Sequence, residues 1–461
     1  RNVKVIFSCR YKVFKTITAE KGLIMIKKTF VGLLKPRLEY DILSATHTEP
    51  EIIPAPKKVT ILSGTSFERS DAVQLKVGDK VKTGQKLVPV IDSEDYVIST
   101  VTGTISSISN YTGNFGRAFT SITIDTDDTE EIDEKFGEIC NKPDLANAVD
   151  FLGYVPGGLP LKILNDPEKS INRIVIYGMD KDLLMTTTQF VVKTRTDLII
   201  KGIGILKEIT GIENITMAVP SSLMHNANKT GADVTIIDKE YPSALPFMIA
   251  KEVLGDYVPA GRSLEDMGIC LISAEAIASL GAAYTEGKIP VKKVVEIVDK
   301  DGSKKYVSVT MGTPVSDVFK AFDIKVKDKD RVIVGGPMTG SSIYSVDYPV
   351  QADTDAVIIQ DGSKVETVSD YPCINCGECV RICPSKIQVN ILVRFLEAGE
   401  YQEAADAHDL YSCVECGLCS YVCTSKMPVF QYIRLAKYEL ANAPAEVEAE
   451  EETEAAEEEN A

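Results

Sequence analysis

Eight of the chain's eleven cysteines stand in two short rows. "CINCGECVRIC" runs from Cys373 to Cys383 and "CVECGLCSYVC" from Cys413 to Cys423. Both read C-x2-C-x2-C-x3-C. Thiolates are soft donors that suit zinc and iron–sulfur clusters. A zinc site needs only four ligands and usually takes them from two C-x2-C pairs. Three close cysteines, a fourth three residues later, and the whole unit repeated point instead to two iron–sulfur clusters. A zinc-bound scaffold is the alternative.

The spacing is that of bacterial two-cluster ferredoxins, in which the fourth cysteine of each row ligates the other cluster. It assigns Cys373, Cys376, Cys379 and Cys423 to one [4Fe–4S] cluster, and Cys413, Cys416, Cys419 and Cys383 to the second. Gly377 and Gly417 fall where the backbone must turn closely around an inorganic core. Pro384 follows the first row, whereas Thr424 stands where the repeat would put a second proline. That departure is expected to touch loop shape, not ligation.

The elements that must position the rows are helical. Between them, Ile391, Leu392, Phe395 and Leu396 have helical apolar spacing, followed by a second helix-compatible stretch rich in Ala and Glu. "VFQYIRLAKYEL" after the second row is helical again. Lys386, Arg394, Lys426, Arg434 and Lys437 flank the rows and offer a basic docking face for an acidic electron carrier, or else ordinary solvated helix faces.

The remaining chain has the balance of an ordinary globular protein, 44% apolar and 25% charged over 461 residues, enough for three or four domains. No apolar run approaches the roughly 18–20 residues that span a bilayer, so membrane association is expected to be peripheral. The net charge of −17 argues against a nucleic-acid partner. Nine glutamates lie in Ala443–Ala461, a solvated acidic tail. Residues 1–24 show no secretory pattern and read as an extension before Met25. Cys9, Cys140 and Cys270 are scattered and read as ordinary thiols, and His47, His225 and His408 as lone structural or surface residues.

Residues 49–127 read as short strands with turns at Gly78-Asp79 and Thr83-Gly84. They resemble the flattened sandwich of lipoyl and biotinyl carrier domains, but the tip, "IDSEDYVIST", has no lysine to modify, so a structural role is expected. From about residue 145 strands alternate with helices: "INRIVIYGM", a long helical pattern, "NITMAVP" and "ADVTIIDK". That order indicates a parallel, doubly wound sheet. "KGIGIL" (Lys201–Leu206) lies inside the helical pattern and is not a phosphate loop. A β-grasp unit follows, with strands around Asp301-Gly302, a turn at Met311-Gly312, a helix after Pro314 and a closing "DRVIVGGPMTG".

In this order the pieces resemble the C subunit of the Rnf complex, the membrane-bound ferredoxin:NAD⁺ oxidoreductase that couples electron flow to ion translocation. "VIVGGPMTG", "CINCGECVRICP" and "CSYVCTSKMPVFQYIRLAKYEL" carry the resemblance. It implies a multidomain α/β protein in six parts: an extension at 1–24, a carrier-like β-sandwich at 25–128, a flavin-type α/β domain at 129–264, a β-grasp unit at 265–362, a dicluster [4Fe–4S] ferredoxin domain at 363–440 and an acidic tail at 441–461. It also implies Rnf-type membrane subunits as partners, a ferredoxin or cytochrome as redox partner, a peripheral position at the cytoplasmic face of the membrane, and FMN exchanging hydride with NAD(H).

The flavin loops depart from that pattern. "PGGLPLK" keeps Gly157 and Gly158 but lacks the family's third glycine, and Pro160 supplies no amide. "YGMDKDLL" keeps Gly178, with Asp180 and Asp182 offset around Lys181, which could pair with either acid. "YPSALPF" lacks the family's glutamate and lysine. Gly157, Gly158 and Gly178 thus stand as remnants of a flavin or nucleotide site. Two functions remain open: an Rnf-like subunit that relays single electrons through its clusters without its own NADH site, which the altered loops favour, or a working FMN- and NADH-binding dehydrogenase subunit.

Overall fold

The computed structural model describes residues 36–44, 48–66, 73–91, 93, 95–255, 257–369 and 371–443. The expectations for residues 1–24, Met25, Cys9, His47 and the glutamates after Ala443 lie outside them. The described residues divide into two units, one running to Glu366 and the other from Thr367 together with Pro259–Gly261.

In the first unit, Lys58–Ser63, Ala118–Thr126, Gly103–Thr112 and Lys80–Val81 pair in that order as an antiparallel sheet, and Lys86–Leu87 pairs with Val97–Ile98. Successive side chains of a strand point to opposite faces. Val59 and Ile61, and Ile122 and Ile124, accordingly turn inward onto Val81, Leu87, Val97 and Ile105. The lysine-free tip is tied down. Asp95 Oδ1 lies 2.6 Å from Lys162 Nζ, and the Tyr96 hydroxyl donates to the Val149 carbonyl at 2.6 Å.

The next layer is a four-stranded parallel sheet in the order Asp233–Ile237, Ile215–Pro220, Arg173–Tyr177, Ile269–Ser273. Ile174, Val175 and Ile176 are buried in succession, so both faces are covered, which is why the strand reads as a continuous apolar run. The helical pattern after the first strand forms two helices, Thr187–Thr194 and Thr196–Thr210, divided at Arg195. Helix Ala274–Glu286 packs on the second of these at very short range. A Cβ on Gly202 would stand 2.1 Å from the Ile277 carbonyl oxygen, and one on Gly281 2.0 Å from that of Leu198. Of the two glycines in "KGIGIL", Gly202 is there for helix contact, whereas a Cβ on Gly204 would meet nothing within 4 Å. The strand Ile269–Ser273 and helix Ala274–Glu286, expected within the 265–362 unit, belong instead to this parallel layer. An apolar pentapeptide such as "ICLIS" carries no local sign of which sheet it will join.

A six-stranded mixed sheet follows, ordered Glu51–Ile52, Lys304–Thr310, Lys292–Val298, Ala356–Gln360, Arg331–Val334, Ser341–Ser342. The hairpin around Asp301-Gly302, the helix Val315–Ala321 after Pro314 and the strand Arg331–Val334 stand where the sequence placed them. Three strands of this sheet were not foreseen, the first being Ser341–Ser342, antiparallel to Arg331–Val334. Ala356–Gln360 lies parallel to Lys292–Val298, and Glu51–Ile52 comes from far earlier in the chain to pair with Lys304–Thr310.

The second unit is helical: Glu378–Ile382, Val389–Ala398, Tyr401–Ala407, Leu418–Val422 and Val429–Asn442. Val389, Leu392, Val393 and Leu396 make the buried stripe of the longer inter-row helix, at i, i+3, i+4 and i+7. Ile391 and Phe395, expected in that stripe, are only half-buried at its edge.

Candidate metal centre

The two cysteine rows repeat each other in conformation as well as spelling. Asn375 and Glu415 have φ of 57° and 54°, Gly377 and Gly417 of 73° and 70°, and Lys386 and Lys426 of 61° and 57°, each pair forty residues apart. Left-handed backbone costs a non-glycine residue of order 1–3 kcal/mol and persists only where the surroundings enforce it. Here it bends the chain so that successive groups face inward. The Asn375 amide donates to Cys373 Sγ and the Glu415 amide to Cys413 Sγ, both at 3.4 Å. The Met427 amide donates to Cys423 Sγ, also at 3.4 Å. Each row then enters a five-residue helix, Glu378–Ile382 or Leu418–Val422, which carries its third cysteine.

A cavity in this unit is lined by Cys373, Cys376, Cys379 and Cys423, with Val393, Met427 and Val429 as apolar wall. Three thiols come from one row and the fourth from the end of the other. The second set is closer packed: Cys383, Cys416 and Cys419 are buried, while Cys413 is half-buried. Burial raises Cys379 to about 11, and its neighbours Cys376 and Cys373 add to the rise. Burial raises Cys416 to about 12, with Cys413 and Cys383 adding their charge, and holds Cys419 well above the ordinary thiol range. Burial also lifts Cys413, opposed by the Lys437 ammonium. A metal binds cysteine as the thiolate, so ligation must offset the cost of charging thiols buried in this way. Cys373, Cys376, Cys379 and Cys423 line one shared space, and the donor set, the cavity and the amides aimed at sulfur fit iron–sulfur clusters.

Of the basic residues flanking the rows, Lys386, Arg394 and Lys426 are exposed. Lys437 is not a docking charge: its ammonium donates to the Cys413 carbonyl at 2.8 Å and to Glu415 Oε1 at 2.9 Å, clamping the second row. The Arg434 guanidinium lies over the Phe430 ring. His225 is exposed, and His408 stacks on Phe395 with ring centroids 4.0 Å apart. Cys270 is buried in its strand, and Cys140 donates to the Gly137 carbonyl. Thr424 does more than shape a loop, because its Oγ1 lies 3.5 Å from Cys376 Sγ.

Gly157, Gly158 and Gly178, expected as remnants of a flavin or nucleotide site, stand at the carboxyl ends of Arg173–Tyr177 and Ile269–Ser273, where strand order reverses and α/β sheets hold their ligands. Here the chain's own groups fill that place. The Gly157 amide donates to the Ala352 carbonyl at 2.8 Å and the Gly158 amide to that of Val155 at 2.9 Å. A Cβ on Gly157 would stand 2.5 Å from the Ala276 amide, so this loop lies directly on the start of helix Ala274–Glu286. The same helix start is capped by Ser273 Oγ, which accepts from the Ala276 amide, and carries the buried carboxylate of Glu275 in its first turn. A helix N-terminus attracts anions, but this one already holds its own. Glu275 is in turn paired with the buried Lys293. Gly178 is a packing glycine, since a Cβ there would stand 2.8 Å from Val192 and from Val219.

The acids of "YGMDKDLL" are also engaged. Asp180 accepts from the Thr188 amide at 2.8 Å and the Gln189 side chain at 3.1 Å. Asp182 accepts from the Thr339 amide at 2.6 Å, the Thr339 hydroxyl at 2.7 Å and the Met338 amide at 3.1 Å, fastening "GGPMTG". Lys181 pairs with neither; its ammonium lies over the Tyr177 ring at 4.3 Å. Burial pulls Lys181 down, but Tyr177, Asp355 and Asp353 outweigh it and the net shift is upward. Neither the glycine amides nor these carboxylates are left to receive a phosphate or a ribose, and the residues present do not fit FMN or NAD(H). Glu275, Lys293 and Asp355 were not foreseen: the strand "KKVVEIV" is buried from its second residue onward, and nothing local marks Lys293 rather than Lys292 as the buried lysine.

Comparison with known proteins agrees with the cysteine rows. A family model described as a 4Fe-4S dicluster domain matches residues 372–427. The C subunit of the proton-translocating ferredoxin:NAD(+) oxidoreductase complex of Clostridium ljungdahlii is 26% identical over 436 residues, covering 89% of this chain and 94% of the relative. The C subunit of the ion-translocating oxidoreductase complex of Pectobacterium atrosepticum is 27% identical over 79% of this chain, which spans only 56% of that relative. The C subunit of the Na(+)-translocating ferredoxin:NAD(+) oxidoreductase complex of Acetobacterium woodii is 23% identical over 68% of this chain and 75% of the relative. Among solved structures, a chain of an NAD+-reducing [NiFe]-hydrogenase aligns with TM-score 0.42 and 11% identity, covering 69% of this chain and 64% of that one.

Proposed function

We propose that the chain is the iron–sulfur electron-transfer subunit of an Rnf-type ion-translocating oxidoreductase complex, relaying single electrons between a ferredoxin or cytochrome and membrane partners without a nicotinamide site of its own. The observation that carries this reading is the cavity ringed by Cys373, Cys376, Cys379 and Cys423, set in a row that a second row repeats. In it Cys373, Cys376, Cys379 and Cys423 hold one [4Fe–4S] cluster and Cys413, Cys416, Cys419 and Cys383 the other. When bound, such clusters accept and pass on one electron at a time. The chain's contribution is to place the thiolates, to direct amides at their sulfurs, and to keep water from the second set by burying Cys383, Cys416 and Cys419.

The finer architecture belongs to the same proposal: a carrier-like sandwich without a swinging arm, a flavin-type α/β layer that no longer receives a flavin, a β-grasp sheet and the dicluster domain. Among the described residues no helix is long and apolar enough to cross a membrane, and a peripheral place at its cytoplasmic face is part of the reading. A second reading, a subunit that binds FMN and NADH itself, draws support from relatives named as parts of ferredoxin:NAD(+) oxidoreductases.

One experiment separates the two. The full chain, purified anaerobically and supplied with FMN, is mixed with NADH and then with dithionite while cluster absorbance is followed. Bleaching by dithionite alone is the expected result. Rapid bleaching by micromolar NADH would establish the second reading.

A further inference from the structure

The two rows differ at one chemically telling position. Forty residues after Pro384 the chain has Thr424, and Thr424 Oγ1 lies 3.5 Å from Cys376 Sγ. We propose that the Thr424 hydroxyl donates a hydrogen bond to the Cys376 thiolate and thereby raises the reduction potential of the cluster held by Cys373, Cys376, Cys379 and Cys423 above that of its partner. The proposal rests on the ligation given above.

A thiol and a hydroxyl can each donate to the other. A metal-bound thiolate has no proton, so in the loaded protein the hydroxyl must be the donor. Reduction adds one negative charge, part of which resides on the cysteine sulfurs. A donor aimed at one of them favours the reduced form and moves the potential upward. Proline at the matched place has neither a hydroxyl nor an N–H to offer, so Pro384 cannot do the same for the other cluster.

The chain on either side of Thr424 is also held in place. Thr424 directly follows Cys423, whose Sγ accepts from the Met427 amide at 3.4 Å. The next residue, Ser425, donates to the Pro372 carbonyl at 3.4 Å, and the turn closes through left-handed Lys426. Solvent acts in the same direction, because Cys376 is exposed while its counterpart Cys416 is buried. Both effects lead the electron to rest on the exposed cluster, the one open to exchange with a partner. The test must therefore separate the hydroxyl from the exposure.

The experiment is a redox titration of the full chain followed by electron paramagnetic resonance, on the unmodified protein, Thr424→Val, Thr424→Ser and Thr424→Pro. Valine keeps the shape and removes the hydroxyl, serine keeps the hydroxyl, and proline copies the other row. In the valine and proline variants one midpoint should fall, changing that cluster's reduced-to-oxidised ratio at fixed potential by about three- to tenfold, where tenfold is 59 mV for a one-electron couple. The other midpoint should stay, and serine should match the unmodified protein. Unmoved midpoints in Thr424→Val, or equal shifts of both clusters, would overturn the proposal. So would serine behaving as valine does. If valine or proline prevents loading, Thr424→Ala carries the same comparison. Iron content tests the ligation separately: fewer than about eight irons in the unmodified protein would remove that reading and this proposal with it.

Discussion

Lys293 Nζ, with no exposed surface, stands 3.0 Å from Asp355 Oδ1 and also contacts Glu275. The strand Lys292–Val298 thus carries its ammonium against the first turn of helix Ala274–Glu286, at the place where a parallel α/β sheet would present that helix start to a ligand. The protein has closed this crevice with its own ion pairs.

Removing Lys293 leaves two carboxylates without their cation. Lys293→Met should lower stability at neutral pH by about 3–5 kcal/mol, the usual result of breaking a buried pair from one side. Burial raises Glu275, so the variant can escape part of the cost by protonating it. The loss measured by urea unfolding should therefore shrink as pH falls. A loss below about 1 kcal/mol at pH 8 would show that the pair is dispensable.

Glu296 sets a pH dependence of its own. Burial raises this carboxyl to about 7, against the pull of Lys304 and the Thr186 amide. Between about pH 4.5 and 7 the folded state holds a proton that the unfolded state has released, so stability from this group is present below that window and falls as pH rises through it. Glu296→Gln keeps an acceptor for the Thr186 amide and removes the titration. The unfolding free energy of the variant should gain on the unmodified protein by on the order of 2–3 kcal/mol from pH 4.5 to 7. Parallel pH profiles for the two proteins would refute the assignment.

The fourth cysteines make the wiring testable. Cys423→Ser should damage the cluster anchored at Cys373, Cys376 and Cys379, while Cys383→Ser should damage the one at Cys413, Cys416 and Cys419. Paramagnetic resonance of the singly substituted proteins reads this directly. If Cys423→Ser removes the signal that Cys413→Ser removes, each row ligates its own cluster.

Docking can be separated from structure among the lysines. Lys386 and Lys426 are exposed, and reversing both to Glu should slow reduction by an acidic ferredoxin, as should added salt, since steering is screened beyond about 10 Å at 0.1 M. Lys437→Glu should act differently. It breaks the clamp on the Cys413 carbonyl, and its effect should appear as lost iron at the second cluster whatever the salt. Salt-independent reduction of the unmodified protein would remove Lys386 and Lys426 as a docking face.

Much of the centre is local and was legible as such. The spacing of Cys373, Cys376 and Cys379 is a property of seven consecutive residues, Gly377 and Gly417 mark left-handed turns any chain would need there, and the buried stripe of Val389–Ala398 is periodic. The rest depended on which distant segments meet. That Cys423 lines the cavity of the first row, that "ICLIS" joins the parallel sheet, and that Gly202 admits the Ile277 carbonyl are contacts across about forty residues or more. The sequence shows Asp182 only as an acid offset around Lys181, because a carboxylate looks alike whether it awaits a partner or already holds the amides of Met338 and Thr339. Residue type and spacing specify which groups can do chemistry, since both are set by bonds along the chain. Whether a group is free to do it is set by its neighbours in space, and these exist only once the chain has folded.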